Sequence, residues 1–256
     1  MLPDNDHPVL VFDLDQTILS INSFPRWVLF LIAGNMPDIG LRRRVWLSLR
    51  VQLLLLARKL GAFAHSKLLR DLHAAWQIGT ADSGAATARG FQATLLRYLR
   101  PNLRPILTLV AADEVDAILA TAALSDYAAG LGRQLGFRHM LMTPAADDDP
   151  AGFVNSGERK RDRVLELVQE RGWMGRQLIL FTDHLDDLPL IRESRAVCWF
   201  GSSEDMAAAD ALATDVCFVF CRDQSPAGMS AILQGLDYYA ALAQPDVGMP
   251  APSTLS

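Results

Sequence analysis

The sequence predicts an α/β fold: a parallel sheet with helices on it, interrupted after its first strand by a long helical insertion. Three observations predict it. Short apolar runs of strand length recur near residues 9–12, 115–120, 139–142, 177–182, 195–200 and 215–220, separated by helical patterning. Between 24 and 103 the chain reads as helix with no convincing strand. Several of the apolar runs end in polar residues, as at Asp13 and Asp15, Thr121, and Asp183. Open parallel sheets carry their sites at that end, outside the carboxyl termini of the strands.

The first run, Val9-Leu10-Val11-Phe12-Asp13-Leu14-Asp15-Gln16-Thr17, delivers two carboxylates two residues apart. Strand alternation would put Asp13 and Asp15 on one side. Two close carboxylates repel and are costly to bury without a cation, a shared proton or water. A metal meets that need, and magnesium suits it, because magnesium takes hard oxygen ligands and binds through one or two carboxylates plus a substrate phosphate. The competing reading is two acids capping a turn after a core strand.

Length and composition narrow the classes. The chain has 256 residues, 50% hydrophobic and 21% charged, enough for one large domain or a core with a smaller companion. A net charge of -5 argues against nucleic acid as a main partner, which needs a concentrated basic face. Lysines stand only at 59, 67 and 160, so chemistry that needs a lysine has few candidates. Cys198, Cys217 and Cys221 lie in or beside apolar runs, which fits reduced core residues of a cytoplasmic protein. The N-terminus, with Asp4 and Asp6, lacks the basic start and apolar leader of a signal peptide.

After Thr17 the helical stretch begins. Between Leu41 and Leu60, the residues Val45, Trp46, Leu49, Leu53, Leu56, Ala57 and Leu60 recur at three and four, a stripe expected to pack into a bundle. The apolar runs are too short or too interrupted to span a bilayer. In-plane lipid contact is the alternative to a buried cap helix, because Arg42, Arg43 and Arg44 adjoin Leu and Trp. Helices at 66–77 and 86–98 follow, and Arg100-Pro101-Asn102-Leu103-Arg104-Pro105 punctuates the return to the sheet.

The strand at 115–120 leads into Thr121-Ala122-Ala123, where a hydroxyl and following amides could hold a phosphate, or Thr121 could simply cap a helix. The acids at Asp147-Asp148-Asp149 read as a solvated loop, and 152–157 as a small hairpin or strand. Gly157-Glu158-Arg159-Lys160 then opens a helix to about 171, with a plain basic face as the competing reading for Lys160. The strand 177–182 ends in Asp183-His184-Leu185-Asp186-Asp187-Leu188-Pro189-Leu190. A last helix at 229–243 precedes a Pro-rich end, 244–256, of disordered composition.

These four stretches, in this order, resemble the motifs of the haloacid dehalogenase-like (HAD) phosphohydrolases. The resemblance implies a Rossmann-like parallel-sheet HAD core at 1–20 and 104–223, an all-helical cap at 21–103, as in the phosphoserine-phosphatase-like subgroup, and a C-terminal piece at 224–256. It implies Asp13 as nucleophile and Asp15 as acid/base, with magnesium held by Asp13, the Asp15 carbonyl and Asp183. It also implies that Thr121, Ala122 and Lys160 hold the phosphate while Asp187 supports Lys160 or a metal-bound water. His184 and Asp186 depart from the usual small or neutral residues there and are candidates for the rim.

The implied reaction is hydrolysis of a small-molecule or lipid phosphomonoester. Phosphoserine is disfavoured, because no acid between Ser20 and Phe30 could meet its amine. The apolar segment from Phe24 through Leu60 resembles the corresponding part of phosphatidylglycerophosphate phosphatases. A phosphotransferase and a non-catalytic phosphate-binding protein are the other readings of the same motifs.

Overall fold

The computed structural model describes residues 7–33, 40–60, 65–79, 84–144 and 154–242. The chain begins with β1 (Val9–Phe12) and a short irregular turn, then continues through α1 (Ser23–Ala33), α2 (Leu41–Lys59), α3 (His65–Gly79) and α4 (Gly84–Leu95). It returns through α5 (Arg104–Ala111) into β2 (Ala117–Leu124), α6 (Ser125–Gln134), β3 (His139–Thr143), α7 (Gly157–Glu170) and β4 (Leu178–Thr182). Then follow α8 (Leu188–Ile191), β5 (Ala196–Trp199), α9 (Ser203–Leu212), β6 (Cys217–Phe220) and α10 (Pro226–Leu242).

Among the described residues the sheet has six strands in the order β3-β2-β1-β4-β5-β6, every neighbouring pair parallel. This is the α/β, Rossmann-like arrangement the strand runs predict. Alternation along β1 divides the core. Val9 and Val11 face one layer with Val164, Leu180 and Val197, whereas Leu10 and Phe12 face the other with Leu119, Phe181 and Tyr127. Apolar residues on both faces are what a buried parallel strand requires. Phe12 stacks on Phe181 at 4.1 Å, tying β1 to β4 directly behind the point where both strands end.

The chain runs from β1 to β2 and β3 on one side, then crosses to β4 on the other side of β1. The order therefore switches at β1, and in open parallel sheets the site lies beyond the carboxyl end of the strands at such a switch. The helical excursion leaves and re-enters close together, shortly after β1 ends. Leu19 forms an antiparallel bridge with Leu99, the Ser20 amide donates to the Tyr98 carbonyl at 2.8 Å, and the Arg100 amide donates to the Ile18 carbonyl at 3.0 Å.

Several expectations change. The first two residues of the expected strand at 152–157 and the acids 147–149 lie outside the described residues, as do 243–256; residues 154–156 form no strand. Cys198 and Cys221 are buried, but Cys217 is exposed, because β6 is the edge strand. The largest difference is in α2. Leu47 and Val51 are its fully buried residues, packed with Leu54 and Leu55, while the anticipated packing stripe faces outward, with Leu49 56% and Leu53 64% exposed. Both sides of this helix are apolar, so periodicity identified a stripe without identifying which one the bundle takes.

Candidate active site

Asp13 directly follows β1 and is held by its own main chain, its amide donating to the Phe181 carbonyl at 2.9 Å. The strand stops at Phe12, so alternation no longer governs Asp15. Gln16 takes a positive φ of 58°, the chain folds back, and Asp15 accepts the Ser23 amide at 2.8 Å. Asp15 therefore ties the site to the first turn of α1. Ser23 is in turn bonded through its hydroxyl to the Tyr127 hydroxyl on α6, at 2.8 Å, and both residues are buried.

Lys160, on the first turn of α7, is 2% exposed. Gly157 opens that helix with φ +59°, a left-handed conformation that costs glycine little. The Lys160 ammonium donates to Asp13 Oδ1 at 2.9 Å and to Asp187 Oδ2 at 2.8 Å. Thr182 Oγ1 donates to the same Asp187 oxygen at 2.6 Å. Asp183, one residue past β4, accepts from Gln16 Nε2 at 3.0 Å and Thr17 Oγ1 at 3.3 Å. A Cβ on Gly201 would collide with the Asp183 carbonyl, so the loop after β5 can pass beneath Asp183 only with glycine there.

Thr121 is on the neighbouring strand, two residues past Leu119, the partner of Phe12 in register. It is not a helix cap, because β2 continues to Leu124 with a register shift between Ala120 and Leu124. Thr121 Oγ1 accepts the Ala123 amide at 3.1 Å, which leaves its own proton for another acceptor. Ala122 is the exposed residue of β2, and its carbonyl accepts Thr143 Oγ1 at 2.7 Å. His184 and Asp186 sit at the exposed margin, where the Asp186 amide donates to His184 Nδ1 at 3.1 Å.

Four carboxylates, Asp13, Asp15, Asp183 and Asp187, thus gather around one ammonium. Burial raises the Asp13 carboxyl, against the pull of Lys160 and with Asp187 adding to the rise. Burial also pushes Asp15 up to about 6 and Asp183 up to about 7, the latter helped by the charges of Asp13 and Asp187. Burial alone would lower Lys160, but Asp13 and Asp187 outweigh it and raise it above the ordinary lysine range. A site that holds more negative charge than its lysine can balance is chemically suited to a divalent cation. Among the described residues no three His, Cys, Asp or Glu side chains form a metal cluster, so such an ion would need main-chain or substrate oxygens as well.

Sequence reasoning missed Asn155, Ser23 and Tyr127. Asn155 is fully buried and its amide donates to the Thr121 carbonyl at 3.1 Å and the Leu141 carbonyl at 2.9 Å, bracing the strand that carries Thr121. No local pattern marks such a residue, because its partners come from strands distant in sequence.

A family model described as haloacid dehalogenase-like hydrolase matches residues 10–192. No curated protein matches the chain. Among solved structures, a Bordetella pertussis Tohama I protein of unknown function is 19% identical, with a TM-score of 0.62 over 84% of this chain and 98% of that one. A probable phosphoserine phosphatase from Vibrio cholerae is 15% identical, with a TM-score of 0.60 over 95% of this chain and 69% of that one. A substrate-bound phosphoserine phosphatase is 11% identical, with a TM-score of 0.51 over 90% and 98%. At these identities the likeness is one of fold.

Proposed function

The chain belongs to the haloacid dehalogenase-like hydrolases, and within that family we propose that it is a magnesium-dependent phosphomonoesterase acting through an aspartyl-phosphate on Asp13. The observation that carries this reading is Lys160 bonded to both Asp13 and Asp187 beside Asp183, at the end of the sheet where the strand order switches. Asp13, the main-chain carbonyl of Asp15, and Asp183 would hold magnesium. When bound, the ion supplies positive charge against the phosphoryl oxygens.

The chain's own residues carry the steps. The Asp13 carboxylate attacks phosphorus as the bond to the alkoxide oxygen breaks. Asp15, raised to about 6, gives its proton to that leaving oxygen. It then takes a proton from the water that attacks the aspartyl-phosphate, releasing inorganic phosphate and restoring Asp13. Lys160, the Thr121 hydroxyl and the Ala122 amide hold the equatorial oxygens, where charge develops in the transition state. Asp187, bonded to Thr182, fixes the lysine. His184 and Asp186, at the margin, line the approach.

The substrate class is an organic phosphate monoester, with phosphoserine disfavoured because α1 carries no acidic residue to meet its amine. A lipid or other apolar phosphomonoester is the second reading, favoured by the apolar residues exposed on α2. No helix among the described residues is long and apolar enough to cross a membrane, and we place the protein in the cytoplasm, at most at the membrane periphery. The domain division proposed is a core of 1–20 and 104–223, a cap of 21–103 and a terminal segment of 224–256.

The test is a magnesium-dependent screen of aryl, sugar and detergent-dispersed lipid phosphates, with wild type run beside Asp13→Asn. Turnover that needs magnesium and Asp13 supports the reading. Absence of turnover from an aryl phosphate with magnesium bound would support the non-catalytic phosphate-binding alternative.

A further inference from the structure

We infer that the outward face of α2 is a seat for an anionic lipid bilayer surface. Val45 at 50%, Trp46 at 38%, Leu49 at 56%, Leu53 at 64%, Leu56 at 53% and Leu60 at 77% are exposed along one stripe. Their spacing repeats at three, four and seven, so they form a continuous row over about four helical turns. The helix is already anchored on its other side by Leu47 and Val51, which are fully buried, and by Leu54 and Leu55. The two faces are about 175° apart on the wheel. A helix that is apolar on both sides is expected to have both covered, and the described residues cover only one.

Charge selects the occupant. α2 carries Arg42, Arg43, Arg44, Arg50, Arg58 and Lys59 and no acidic residue, in a chain whose net charge is -5. Arg43 and Arg50 fall about 100–120° from Leu49, at the margin of the stripe. Arg50 lies over the Trp46 ring at 5.2 Å. An amphipathic indole beside a guanidinium at the edge of a leucine row suits the level of lipid headgroups, with leucines entering the acyl boundary and arginines meeting phosphates. A second copy would have to bring two uniformly cationic helices together along this stripe, and the repulsion disfavours it. An anionic surface gains from the basic residues at the margin of the stripe. The inference does not depend on the hydrolase reading, because it concerns adsorption and not turnover.

The experiment is flotation of the full chain with vesicles of phosphatidylcholine alone or phosphatidylcholine containing phosphatidylglycerol, alongside its mass in solution. Two variants are compared: Leu49→Glu with Leu53→Glu, and Arg42→Glu, Arg43→Glu with Arg50→Glu. The leucines are exposed, so circular dichroism and Tm of the first variant should match wild type. Wild type is expected to float with the phosphatidylglycerol vesicles and to be released by high salt. Each variant should lose about tenfold or more in partitioning. Three results would overturn the inference: no flotation at either composition, flotation unchanged in the leucine variant, or a wild-type dimer that this variant converts to a monomer.

Discussion

The carboxyl end of β1 and the outer face of α2 depart from ordinary burial in opposite senses. At β1 the fold puts charges inside, with Asp13 8%, Lys160 2% and Asp187 5% exposed. On α2 it leaves leucines outside, with Leu53 64% exposed. The buried charges satisfy one another through direct hydrogen bonds, so they are tolerated but are sensitive to the loss of any member. The exposed leucines are not part of the buried core. The first region should therefore be intolerant of substitution in both activity and stability, and the second indifferent in both.

The largest expected effect is at Asp13. Asp13→Asn should lower kcat toward an aryl phosphate by at least ~10⁴-fold, the scale of removing a covalent nucleophile, with the far-ultraviolet spectrum unchanged. Next is Lys160→Met, which leaves Asp13 and Asp187 buried without their shared cation. Breaking one partner from a buried pair costs about 3–5 kcal/mol, which urea unfolding of the magnesium-free protein would read.

Asp183 supplies a pH test. Its carboxyl is raised from 3.8 to about 7, so the stabilising contribution of its proton is complete below about 4 and is lost as pH rises through about 7. If Asp183 holds magnesium as proposed, the ion has to displace that proton, and apparent affinity should weaken roughly tenfold per pH unit below about 7. Thermal shifts on adding magnesium should accordingly be larger near pH 8 than near pH 5.5. Equal shifts would show that Asp183 is not a ligand.

Tyr127→Phe should act more gently. It removes the partner of the Ser23 hydroxyl and costs about 1 kcal/mol of stability. Because the Ser23 contacts lower Asp15 against burial, loosening them should raise Asp15 further and move the alkaline limb of the kcat profile to higher pH, by less than about one unit. The smallest effect closes the comparison: Leu49→Glu with Leu53→Glu should change unfolding free energy by no more than about 0.5 kcal/mol per site.

The same contrast explains what the sequence could reveal. The parallel sheet was legible because strands buried on both faces must be apolar throughout, and acids directly after such strands, at Asp13 and Asp183, are conspicuous. The placement of Lys160 beside Asp13 was expected from motif order, and the distance between them came only with the fold. The partner of Asp15 was not legible. Alternation extended a strand that ends at Phe12, and the Ser23 contact depends on the left-handed turn at Gln16. The orientation of α2 was not legible for the reverse reason, since two apolar stripes satisfy the same periodicity. Short helices such as α5 and α9 gave too few turns to show a period.

The central claim, that Asp13 takes the phosphoryl group, is tested most directly by acid-quenching the protein during magnesium-dependent turnover and locating phosphate by peptide mass mapping. The account predicts phosphate on Asp13 alone, absent without magnesium and absent in Asp13→Asn. Turnover that persists in Asp13→Asn, or phosphate found on another residue, would contradict it.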